Sequence, residues 1–163
     1  MRTKISLLLT SLIICISCSQ ETQQIELTNP GFGVIASSID IVDEGFDLPV
    51  LLQSDDIIKG VQFTLSWDPA VAQVIQPAMT AANAGFSISS SDGERGEMKV
   101  LIFSMAGDVL NTTDPTILTI AIRIIDPEAE LFELSFNDAI FAGPNAVSYA
   151  IPITHAKLKV NHK

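Results

Sequence analysis

The sequence predicts an all-β protein, a β-sandwich of about nine strands with jelly-roll (Greek-key) topology. Three observations lead there. After residue 30, apolar and polar residues alternate with a period of two along most of the chain, and helical periodicity is scarce. Clusters of turn-forming residues interrupt these runs every ~8–15 residues, the spacing of short strands. The composition, 47% hydrophobic and 17% charged, belongs to a chain that buries a core rather than to a disordered one.

In chain order, residues 39–42 end a first candidate strand. Residues 46–52 form a second, stopped by the turn-like Gln53-Ser54-Asp55-Asp56. The third is the clearest. Over residues 60–67, Val61, Phe63, Leu65 and Trp67 share one parity while Gly60, Gln62, Thr64 and Ser66 share the other, so one face is core and one is wet. Asp68-Pro69 stops it, because proline has no N–H to give a ladder. Residues 71–75 form a short strand, and 78–85 a single helical turn or a loop. Phe86, Ile88 and Ser90 then alternate with Ser87, Ser89 and Ser91, and residues 92–96 make a turn. Residues 98–105 read as a strand. Residues 117–125 are a long apolar, β-branched run, read as a strand buried on both faces. Asp126-Pro127-Glu128 ends it, residues 131–136 alternate again, and 147–153 and 156–160 close the chain. Trp67 and Tyr149 share the parity of apolar neighbours and read as core.

Ahead of the domain lies an address. Residues 1–17 carry Arg2 and Lys4 and then an apolar run over 5–16, the pattern of a signal peptide. That run is shorter than the ~20 residues a spanning helix needs. Ile16-Ser17-Cys18-Ser19 resembles a bacterial lipoprotein box, although Cys15 stands where leucine is usual. The resemblance makes Cys18 the lipidation site and the mature N-terminus, held by more than one acyl chain. Ser19, in place of an aspartate, points to the outer membrane or cell surface. Residues 18–30 read as a polar tether and 31–163 as the domain, which has no cysteine and therefore no disulfide.

Charge and side-chain inventory exclude several functions. Without Arg2 and Lys4, seven cations face 19 acids, a net charge of −12. Phosphate backbones and anionic head groups repel such a body, so nucleic acid is excluded and membrane contact is expected only through the lipid. His155 and His162 are the only histidines, and no Gly-x-Ser-x-Gly elbow exists. The acids fall mostly in turns (Asp55, Asp56, Asp68, Asp92, Glu94, Asp126 and Asp138), where turn formation explains them without a glycosidase pair. No Cys/His cluster suits zinc, and Arg95 sits among the oxygens of residues 92–97. No catalytic residue, metal or cofactor is therefore expected. Asn111-Thr112-Thr113 matches a glycosylation sequon that carries no weight in a bacterial lipoprotein.

Several segments resemble the cohesin family, the nine-stranded jelly-roll modules of cellulosome scaffolds. Gly45-Phe46-Asp47-Leu48-Pro49-Val50-Leu51-Leu52 is similar to an early strand of that family. Residues 58–69, a glycine, an alternating strand and then Trp67-Asp68-Pro69, resemble its most recognisable stretch. Ala84-Gly85-Phe86-Ser87-Ile88-Ser89, Lys99-Val100-Leu101-Ile102-Phe103-Ser104, Ile117-Leu118-Thr119-Ile120 and Leu134-Ser135-Phe136-Asn137-Asp138-Ala139 fit the strands that follow, the last with its turn. The likeness covers roughly residues 34–160, and order and spacing carry it more than any one motif. The resemblance implies non-catalytic recognition of a dockerin-like module that holds the calcium itself, on a partner linked to polysaccharide degradation. It places docking on the flat sheet that includes the third, fifth and sixth strands. Here that face would offer Gly60, Gln62, Thr64, Ser66, Ser87 and Ser89. Cohesins of the best-known type carry Asn and Asp where this chain has Gly60 and Gln62, which leaves partner specificity open.

Two other readings stay open beside this one. Some carbohydrate-binding modules share the jelly roll and hold sugar rings on exposed aromatics, but aromatic content here is 6% and no wet-face platform can be built. The third is a structural or adhesive surface protein.

Overall fold

The computed structural model describes residues 27–36, 38–41, 45–91, 93 and 95–162. The signal peptide, Cys18, most of the tether, and Asp92 and Glu94 lie outside the described residues. The chain forms strands β1 (Gly31–Gly33), β2 (Ser38–Ile41), β3 (Gly45–Gln53), β4 (Gly60–Trp67), β5 (Ala72–Met79) and β6 (Ser87–Ser90). Strands β7 (Glu97–Phe103), β8 (Thr116–Ile124), β9 (Leu131–Ala142), β10 (Ser148–Tyr149), β11 (Ile153–Thr154) and β12 (Ala156–His162) follow. Two 3₁₀ turns, Ala81–Asn83 and Pro144–Ala146, interrupt them.

Two sheets face each other. One has the order β11-β1-β3-β8-β5; the other runs β2-β12-β9-β4-β7-β6, with β10 also paired to β9. Both are mixed, since β1 pairs parallel with β11 and β12 parallel with β2. Alternation builds the space between them. Val61, Phe63, Leu65 and Trp67 of β4 meet Leu48, Val50 and Leu52 of β3 and Ile120 and Ile122 of β8 in one buried cluster. Phe32 of β1 crosses the interior to touch three rings of the opposite sheet, Phe63, Phe136 and Phe141, with centroids 5.2, 5.3 and 5.1 Å away. Gly33, at φ +138°, lets β1 lie against Thr154 of β11, where a Cβ would strike the backbone.

The sandwich has two ends. At one, β1 begins opposite the end of β3 (Gly31 beside Gln53), and β4 begins beside the ends of β7 and β9 (Gly60 beside Phe103 and Ala142). At the other, β4 ends beside the start of β7, and β12 runs out past the start of β9. These are called the β1 end and the hairpin end.

The structure corrects several sequence expectations. Strands number twelve among the described residues, because pairs as short as β1, β10 and β11 have no readable period. The expected strand over 147–153 is two short strands separated by Pro152. The strand expected over 71–75 extends through Pro77 to Met79, on the edge of its sheet where a missing N–H is tolerated. The strand over 98–105 ends at Phe103, and Met105 stands in a turn. Strand β8 is not buried on both faces: Thr119, Ala121 and Arg123 form an outer side, with Arg123 exposed. No turn follows Phe136. Strand β9 continues to Ala142 through a bulge at Asp138, whose φ is 50°.

Candidate docking face

The outer side of the larger sheet is the surface that the sequence singles out. Strands β9, β4, β7 and β6 lie side by side, and cross-strand register sets its residues in rows. One row runs Ser89, Leu101, Gln62, Ile140. Toward the β1 end lies Ser87, Phe103, Gly60, Ala142. Toward the hairpin end come Lys99, Thr64, Asn137 and then Glu97, Ser66, Ser135.

The structure brings Gly60, Gln62, Ser66, Ser87 and Ser89 onto this one side, half-exposed in β4 and exposed in β6, apart from any covering element. Thr64 is a correction. It shares the parity but is only 5% exposed, flanked by the longer Lys99 and Asn137, and offers a partner little. Ser66 is engaged within the face: Asn137 Nδ2 donates to its Oγ at 3.0 Å.

Sequence reasoning missed the apolar part of the face. Leu101 and Ile140 flank Gln62 and are 41% and 47% exposed, and Leu131 is exposed nearer the hairpin end. Leu101 was legible as the same-parity neighbour of Lys99. Ile140 was not, because the bulge at Asp138 shifts the period. Asn137 and Thr64 face each other, as do Ile140 and Gln62, so two residues of β9, Asp138 and Ala139, span the one-residue step at Phe63. The bulge keeps Ile140 outside while Phe141 returns to the core.

The larger sheet carries both charges on its outer side. Lys99, Lys157 and Lys159 stand on it against Glu97, Glu133 and Asp138, and Lys157 Nζ lies 2.8 Å from Glu133. That pair is solvent-exposed and contributes little stability. A groove of about 420 Å³ at the hairpin end is lined by Ser66, Trp67, Asp68, Leu131, Glu133 and Ser135 among others. Its two carboxylates are occupied, Asp68 by the N–H of Ala70 at 2.8 Å and Glu133 by Lys157. Trp67 is buried, its indole N–H donating to the carbonyl of Ala72 at 2.9 Å, so it forms no sugar platform. His155 Nδ1 accepts the N–H of Phe136 at 3.1 Å, a structural role. Among the described residues no group of three or more His, Cys, Asp or Glu could hold a metal ion.

The outer side of the smaller sheet differs. It presents Asp47, Pro49, Thr119, Ala121, Arg123 and Gln76, and Ile75 is its large exposed aliphatic.

No protein-family model and no curated protein matches the chain. Solved structures do. The sixth cohesin of scaffoldin B from Acetivibrio cellulolyticus, solved with a Cel5 dockerin, aligns at TM-score 0.64 and 17% identity, covering 80% of this chain and 99% of that one. A type I cohesin–dockerin complex from Clostridium thermocellum aligns at 0.64 and 13% identity, with 88% and 99% covered. A non-cellulosomal cohesin from the archaeon Archaeoglobus fulgidus gives 0.64 and 14%, with 83% and 92% covered. The β-sandwich expected from the residue pattern and the two-sheet sandwich observed here agree, and the chain has the fold of these cohesin modules.

Proposed function

We propose that this domain is a non-catalytic docking module of a lipid-anchored surface protein, and that its partner is a dockerin-like module that carries its own calcium. One observation supports this above the others. An uncovered sheet face sets two exposed aliphatic side chains, Leu101 and Ile140, around Gln62 in a field of small polar residues. Apolar anchors within a polar surround suit a protein interface, which buries roughly 1,600 Å² when of standard size. The fold is shared with cohesins solved together with dockerins. The link to polysaccharide degradation and an outer-membrane or cell-surface location belong to this proposal.

The test is capture from the source organism's own secreted and membrane proteins on immobilised chain from residue 18 onward, with calcium or with a chelator. The expected result is calcium-dependent retention of a protein carrying duplicated calcium-loop segments. Retention on polysaccharide, indifferent to calcium, would replace this reading with direct glycan binding.

A further inference from the structure

We infer that the β1 end of the sandwich rests against a zwitterionic lipid surface, so that the domain stands on the bilayer with its docking face upright. The inference rests on the reading that Cys18 is lipidated. Nine large hydrophobic side chains are exposed among the described residues, and four of them, Ile57, Met105, Val109 and Val147, lie in the loops of this one end. Backbone hydrogen bonds hold those loops together. The N–H of Leu110 donates to Ile58 at 2.8 Å, that of Lys59 to Ala142 at 2.7 Å, and that of Gly143 to Val147 at 2.8 Å.

Met105 is 89% exposed at the tip of a built turn. Ser104 Oγ donates to Asp108 at 2.8 Å and accepts the N–H groups of Ala106 and Asp108, both at 3.2 Å, and Gly107 takes φ +75°. The turn holds a large apolar side chain in water, where it gains nothing from folding. Burial among acyl chains or head groups supplies the missing contact.

The chain enters the domain at this same end. Asn29 Nδ2 hydrogen-bonds Asp55 at 3.4 Å, and Gly31 pairs beside Gln53. From Cys18 to Pro30 the backbone spans at most roughly 40 Å, so an anchored chain keeps this end near the bilayer and raises its effective concentration there. Charge selects the lipid. Lys59 is accompanied at this end by Asp55, Asp56, Asp108 and Asp114, of which Asp55 accepts a hydrogen bond from Asn29 and Asp108 and Asp114 accept theirs from near neighbours in the chain. That balance is still negative and disfavours an anionic surface. The hairpin end carries Asp68, Asp126, Glu128 and Glu130, and of the nine exposed hydrophobics only Ile125 lies in its loops, with Leu131 at the start of β9.

The test uses the full acylated chain in phosphatidylcholine vesicles. A fluorophore is attached at Met105→Cys or, as the control, at Glu128→Cys; once Cys18 is acylated the new thiol is unique, because the body has no other cysteine. Doxyl-labelled lipid should quench the probe at 105 and not at 128, and iodide quenching at 105 should fall about two-fold or more on vesicle binding. Adding a large fraction of phosphatidylglycerol should weaken both effects. Equal iodide access at 105 and 128 in chain that floats with vesicles overturns the inference alone. Protection of 105 only by a captured protein, or by a second copy in solution, overturns it too, and gives the end to that occupant. Chain that does not float at all overturns the anchor reading, and this inference with it.

Discussion

Phe32 concentrates in one side chain what the sandwich does as a whole. It belongs to a three-residue strand of one sheet, yet its ring packs on Phe63, Phe136 and Phe141 of the other. Truncation removes one side of three aromatic contacts and leaves a cavity between the sheets. Phe32→Ala should therefore lower unfolding free energy by about 3–5 kcal/mol, read from urea denaturation; a loss below ~1 kcal/mol would show that the sheets close over the gap. Trp67 was legible as core from parity with Phe63 and Leu65, and it is buried. Phe32 was not, because Gly31–Gly33 has no room for a period. Thr64 shows the limit of parity from the other side. Alternation gives the direction of a side chain and is blind to how far Lys99 and Asn137 reach over it.

Strand β9 shows how a single irregularity hides half of a site. Phe132, Leu134 and Phe136 keep a period of two, and the next core ring, Phe141, falls five residues on. A reader following the period ends the strand at Phe136 and assigns Asn137-Asp138 to a turn; the structure instead inserts a bulge with Asp138 at φ 50°. Glycine adopts that φ freely, so Asp138→Gly should leave the melting temperature nearly unchanged. Because Asp138 and Ala139 together span the one-residue step at Phe63, deleting Asp138 should remove the bulge and leave Ile140 outside and Phe141 in the core, with the melting transition retained in calorimetry. Loss of the transition would mean that the bend the bulge gives β9 is needed to close the sandwich. On β4 and β7, Gln62→Arg with Leu101→Arg should reduce affinity for the captured partner at least ~100-fold while leaving the melting transition in place, because both side chains are already partly in water. Unchanged affinity removes this face from consideration.

At the scale of the molecule, the order of strands and turns made the two-sheet sandwich legible, since nearly every long strand carries one apolar and one polar side. The pairing partners were not legible. Nothing local in Gly31–Gly33 or Ile153–Thr154 says that they meet in parallel, since that depends on loops closing around a finished core. The apolar loop residues of the β1 end were equally hidden, because isolated aliphatics in turns look like the ends of strands. Stability here comes from that core without covalent help. Both cysteines precede the domain, so its melting temperature should be the same with and without reductant, by scanning calorimetry. A shift would point to cross-linking between chains through a free Cys15 or Cys18.

The placement of β1 has a mechanical consequence. It runs along the axis of the sandwich from the end where the chain enters, paired on one side to β3 and on the other to β11. If the chain is held at its N-terminal side and a bound partner is dragged away by flow or by a moving substrate, the pull acts along β1 rather than across it. Its ladder bonds to both neighbours are then loaded in shear and must yield together, while Phe32 must be drawn out through three rings. A strand of three residues is short, but under such a load it would be the pin between the held end of the chain and whatever the domain binds.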